Sequence, residues 1–139
     1  MPAEMILWPV VAMVALTFVV WLTMFRRRIG EMRRRRIGIE RLASGADITS
    51  LLEDRCAADN FRNLFELPVL FHAAALAALT TTTVDHTLVL LAWAFVVFRG
   101  VHSIVHCTYN RVLHRFIAYF LSAITLWAMW IRLAVAWFA

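Results

Sequence analysis

The sequence contains no lysine, and all 14 of its basic residues are arginine. That bias is one of composition, and it carries no mechanism. Charged residues of either sign are scarce, at 17% of 139 residues against 63% hydrophobic. A water-soluble domain carries about a quarter charged residues. The shortage excludes an ordinary soluble domain and places the chain among membrane proteins. Only two cysteines occur, Cys56 and Cys107. They are too few and too irregularly spaced for a disulfide framework or a four-cysteine zinc site, and read as plain buried or interfacial thiols. The first apolar run has no basic stretch before it and no small-residue cleavage site after it. It is also too long for the apolar core of a signal peptide, so it is expected to be a retained membrane helix.

No charged residue falls between Met5 and Phe25. At 1.5 Å per residue a helix over that stretch spans about 30 Å, the thickness of a bilayer's hydrocarbon core. Pro9 falls in its first turns, where proline is tolerated. Three further spans are predicted, at about 59–79, 87–109 and 112–138. The apolar runs show no alternation over about ten residues, which argues against strands, and a bilayer requires each spanning backbone group to find an internal partner, so the spans are expected to be helices. The expected fold is an all-α integral membrane protein, one domain over 1–139, built as a bundle of four transmembrane helices.

The first connection, 26–55, is strongly basic, with nine arginines. Arg111 and Arg115 add to the connection between the third and fourth spans. The positive-inside rule puts both connections in the cytoplasm and both termini outside. Arginine runs of this kind anchor topology at a lipid surface. The run has no interleaved aromatics on which bases could stack, which argues against nucleic acid. Ser44-Gly45-Ala46-Asp47 reads as a loop tip, with Asp47 or Thr49 as the cap of a short helix leading into the second span. Trp8, Trp127, Trp130 and Trp137 lie toward span ends and fit an interfacial belt.

Ionisable groups inside a membrane are costly, so each one poses a functional question. Arg55, Asp59, Arg62 and Glu66 recur at helical spacing along the second span, with Asn63 beside them. Arg62 and Glu66 stand four apart and can pair. Arg99, His102, His106 and Tyr109 form one stripe on the third span, and Arg115, Tyr119 and Ser122 another on the fourth. Arg99 lies deep in an apolar run and requires an anionic partner, for which Glu66 is the best candidate. These stripes read either as structural ion pairs or as the wall of a basic, partly desolvated pocket for a small anion. In such a pocket a nearby arginine would favour a thiolate. His102 and His106 stand four apart, a spacing also used for metal, and His114 and Glu66 could complete a site. The glutamate that a zincin helix needs after its first histidine is missing. His72, after Pro68, reads as a packing histidine and His86 as a solvated turn residue.

The segments DNFRNLFELPVLF (59–71) and FRGVHSIVHCTYNRVLHR (98–115) resemble the MAPEG family, the membrane-associated proteins of eicosanoid and glutathione metabolism. The resemblance covers essentially the whole chain and is to the family's bacterial branch. It implies a homotrimer in a bacterial inner membrane, with glutathione between neighbouring subunits near the cytoplasmic side. By position it implies that Arg62, Asn63 and Glu66 contact glutathione, and that Arg99 and His102 match the third-helix arginine and histidine of the prostaglandin-synthase branch. Arg115 matches the arginine that stabilises the thiolate, and Tyr119 a nearby tyrosine. One of Arg26, Arg27 and Arg28, with Arg27 central, matches the first-helix arginine that reaches a neighbour's glutathione. His106 stands where that branch has a glutathione-holding tyrosine, and Phe116 where it has a serine. The implied activity is a glutathione-dependent transferase or peroxidase acting on lipophilic electrophiles, with lipid and further copies of the chain as its partners. The alternatives are a non-catalytic scaffold or lipid-binding protein of the same fold, and a metal or haem protein using His102 and His106.

Overall fold

The computed structural model describes residues 2–37, 53 and 55–138, and all regular structure among them is helical. A short 3-10 turn, Ala3–Ile6, leads into α1, Leu7–Arg35. Next come α2 (Cys56–Asn63), α3 (Leu67–Thr80), α4 (His86–Cys107) and α5 (Val112–Phe138). Taken as α1, α2 with α3, α4 and α5, they make four segments long and apolar enough to cross a membrane. The expected loop tip at Ser44–Asp47 and the cap at Asp47 or Thr49 lie outside the described residues.

Helix α1 does not stop where its apolar run stops. It continues through the arginine-rich stretch to Arg35, so ten residues of the predicted connection are helix. Arginine, methionine and glutamate are good helix formers. Arg33, Arg34 and Arg35 occupy the last turn, where cations meet the negative end of the helix dipole. Arg36 closes the helix in the left-handed conformation (φ 52°), and Ile37 N–H donates back to the Met32 carbonyl at 3.0 Å. This is the C-terminal pattern that glycine usually supplies.

The second span is broken. Pro68 has no N–H to give the Leu64 carbonyl, and its ring would collide with that carbonyl in a continuous helix. The chain therefore turns at Leu64–Glu66 and restarts at Leu67, with Pro68 in the first turn of α3. At the opposite end of the bundle, Asp85 caps α4, its carboxylate accepting from Leu88 N–H at 2.7 Å. It also pairs with Arg132 near the end of α5. Trp137 Nε1–H donates to Thr81 Oγ1 at 3.1 Å beside them.

The core lies between α1, α3, α4 and α5. Phe71 and Phe95 stack at 4.7 Å, both fully buried, among Met13, Leu88, Leu126 and Met129. Ala74, Ala75, Ala78 and Ala92 supply short side chains where helices approach. In a membrane such packing, rather than exclusion of water, holds helices together. Outward faces carry Trp8, Val11, Phe18, Phe120, Trp127 and Ile131, all exposed. Lipid is the medium that accommodates them.

Candidate functional site

At the arginine-rich end, α2, α4 and α5 enclose a pocket of about 300 Å³. Asp59 and Asn63 line it from α2, His102 and His106 from α4, and Val112, Arg115, Phe116 and Tyr119 from α5. Three separate stripes of the sequence thus meet in one cavity. The i, i+4 spacing puts His102 and His106 edge to face, 5.5 Å apart, and the Tyr119 ring lies 5.9 Å from His102.

Hydrogen bonds fix the protons on these rings. His102 Nδ1 lies 3.1 Å from the carbonyl of Arg115. A carbonyl only accepts, so Nδ1 carries the proton. His106 Nε2 lies 3.1 Å from Arg115 Nη1. A guanidinium only donates, so this nitrogen accepts and the proton sits on Nδ1. His102 Nε2 and His106 Nδ1 have no partner among the described residues.

Arg115 is half-buried at the pocket wall. Its Nη1 donates to His106 Nε2 and, at 3.0 Å, to Asn110 Oδ1. Both acceptors are neutral. No carboxylate pairs with Arg115 among the described residues. Its positive charge is oriented without being cancelled, which is the arrangement that binds an anion.

Arg99 is fully buried behind this wall. It does not pair with Glu66, as the sequence suggested. Its Nη2 donates to the backbone carbonyl of Asn63 at 2.7 Å, and its guanidinium lies 5.7 Å from the centre of the Tyr119 ring. The carbonyl is available because the helix breaks one residue later. Arg99 Nε and Nη1 have no partner among the described residues.

The expected pair of Arg62 with Glu66 is also absent, because the break removes the helical spacing between them. Arg62 instead approaches Asp59 at 4.0 Å, both well exposed. Glu66 is exposed at the N-terminus of α3, outside the pocket lining. Arg27 is likewise outside it, donating through Nη2 to the Cys107 carbonyl at the end of α4. Of the sequence-selected residues, Asn63, His102, His106, Arg115 and Tyr119 share the pocket. Arg99 backs it, and Arg27, Arg62 and Glu66 lie around it.

A structural network escaped the sequence reading. Asn60, fully buried, accepts from Ser103 Oγ at 3.3 Å and donates to Cys107 Sγ at 3.5 Å, tying α2 to α4. A buried asparagine in a membrane span was the available signal.

A family model extends these local likenesses to the whole chain. The MAPEG family model matches residues 6–135. The chain belongs to the MAPEG family. It is therefore an integral membrane protein of a family concerned with glutathione and eicosanoid metabolism. Comparison with curated proteins and with solved structures returns no match. Within this MAPEG chain, no three histidine, cysteine or acidic side chains among the described residues are grouped to hold a metal ion. His114, proposed from sequence as a third ligand, is exposed and bonded to Tyr109 at 3.0 Å.

Proposed function

We propose that this MAPEG protein is a glutathione-dependent transferase or peroxidase acting on lipophilic electrophiles, and that it works as a homotrimer. The observation that carries this reading is Arg115, held at the pocket by two neutral acceptors and paired with no carboxylate among the described residues. A thiol bound there meets an oriented cation that favours its thiolate, the reactive form. The cavity volume is at the low end for small-molecule sites, which run from about 300 to 1,000 Å³. Residues of a neighbouring subunit would complete it.

In the proposed reaction the thiol loses its proton to solvent and the sulfur, stabilised by Arg115, attacks an electrophilic carbon. A carbon–sulfur bond forms, and the leaving group departs with its electron pair. Asn63, His102, His106 and Tyr119 position the tripeptide from within the pocket, and Arg62 and Glu66 from its rim. Arg99 supports the wall, and one of Arg26, Arg27 and Arg28 reaches toward a neighbour's site. The electrophile arrives through the bilayer, where apolar compounds concentrate. The membrane is a bacterial inner membrane, with the arginine-rich end cytoplasmic and both termini outside.

Calorimetric titration of glutathione into detergent-purified protein tests this reading, with wild type beside Arg115→Ala and Glu66→Ala. Binding by wild type that both substitutions abolish, with the oligomer intact, is expected. A wild type that neither binds glutathione nor transfers any thiol would sink the proposal and favour the non-catalytic scaffold.

A further inference from the structure

Asn110 sits in the four-residue connection between α4 and α5, outside the pocket lining. Every polar group it carries toward the protein is used. Its backbone is left-handed, at φ 47°, a conformation that asparagine tolerates better than most residues. Its N–H donates to the Val105 carbonyl at 2.8 Å, closing the end of α4. Its Nδ2–H donates to Cys56 Sγ at 3.3 Å, at the start of α2. Its Oδ1 accepts from Arg115 Nη1 at 3.0 Å. One residue thereby fixes the turn, reaches α2 and holds the guanidinium.

We infer that Asn110 is a positioning residue for Arg115. Together with His106 it fixes the direction of the guanidinium plane while leaving its charge intact for an anionic ligand. Amide chemistry is central to this role. An aspartate would hold the same nitrogen but cancel the charge. A glycine would keep the left-handed turn but leave the nitrogen held by His106 alone. An asparagine that serves only as a helix terminator would be replaceable by either residue, since both accept positive φ. The inference rests on the proposed anion-binding role of Arg115. The positioning itself can be read without any ligand.

The test is the rate at which phenylglyoxal modifies Arg115, followed peptide by peptide in detergent-purified wild type, Asn110→Gly and Asn110→Asp. Glutathione calorimetry is run on the same samples. In Asn110→Gly the Arg115 rate is expected to rise about tenfold, the scale of losing one charged hydrogen bond. The rates at the other arginines should hold. In Asn110→Asp the Arg115 rate should fall below wild type, while glutathione affinity drops about tenfold as the carboxylate neutralises the guanidinium. Should the glycine variant fail to fold, the aspartate variant alone decides. Arg115 rates equal to wild type in both variants would overturn the inference. A raised rate in the glycine variant, with no glutathione binding by any of the three proteins, would uphold the positioning and remove the thiol reading instead.

Discussion

Arg99 Nη2 lies 2.7 Å from the backbone carbonyl of Asn63, the last residue of α2. The two are complementary defects. The break that Pro68 forces in the second span takes the Asn63 carbonyl from its helical partner and leaves it a long backbone bond, from Glu66 N–H at 3.4 Å. The buried guanidinium needs an acceptor and has no carboxylate pair among the described residues. The carbonyl takes one of the guanidinium's donors and gains a short bond in return, in a region where an unmet polar group costs several kcal/mol. This predicts energetic coupling between Pro68 and Arg99. Arg99→Leu should destabilise the wild type by about 1–3 kcal/mol, by removing the shorter, charged bond to the Asn63 carbonyl and leaving it only the 3.4 Å bond from Glu66 N–H. In a Pro68→Ala background the carbonyl can return to a continuous helix, and Arg99→Leu should cost less by about 1 kcal/mol or more. A double-mutant cycle in denaturant unfolding measures the difference, and strict additivity would refute the pairing.

Tyr119 presents its ring to Arg99 at 5.7 Å, and its hydroxyl has no hydrogen-bond partner among the described residues. Tyr119→Phe should leave stability within about 0.5 kcal/mol, because the ring and its attraction for the cation remain. Tyr119→Leu should cost about 1–2 kcal/mol. If the hydroxyl serves a bound ligand, Tyr119→Phe lowers glutathione affinity with no change in thermal midpoint, and calorimetry beside thermal unfolding separates the two roles.

Arg115→Lys keeps the charge but not the planar fork. A lysine ammonium reaches less far than a guanidinium and has no fixed plane, so it does not keep the geometry that joins His106 Nε2 and Asn110 Oδ1. Thiol affinity should fall about tenfold or more, against a thermal midpoint that stays near wild type. Lysine supporting wild-type affinity would mean that charge alone suffices and that orientation does not matter.

Asp85 does two jobs at the far end, capping α4 and pairing with Arg132. Asp85→Ala should lower stability by about 1–2 kcal/mol through the lost cap. Arg132→Ala should cost about 0–1 kcal/mol, since the pair is partly solvated. Equal losses in the two variants would show that the ion pair, and not the cap, carries the effect.

Much of this molecule is legible in its sequence, and the reasons are physical. Predominantly apolar runs long enough to span a bilayer mark the membrane helices, and the two motif segments mark the family. The i, i+4 and i, i+3 spacings place His102, His106, Arg115 and Tyr119 on faces, and those faces do meet in one pocket. What the sequence hides is backbone. A stripe of side chains over Arg62, Asn63 and Glu66 assumes one helix, and Pro68 within the same motif breaks it. The true partner of Arg99 is a carbonyl, which no residue type announces. The role of Asn110 likewise depends on a left-handed turn at one position. The extension of α1 to Arg35 was hidden for another reason: the arginines signal the edge of the membrane, and that edge is not where the helix ends.

That extension begins at a tether. Ten residues of helix past the apolar run make a shaft of about 15 Å, and near its base Arg27 grips the last carbonyl of α4. Helices α1 and α4 are thereby geared together at this end. A bilayer that thins or thickens changes the tilt of a spanning helix. A lean of α1 would pull through this bond on the end of α4, where His106 lines the pocket. Bilayer thickness is thereby expected to bear on the shape of the site.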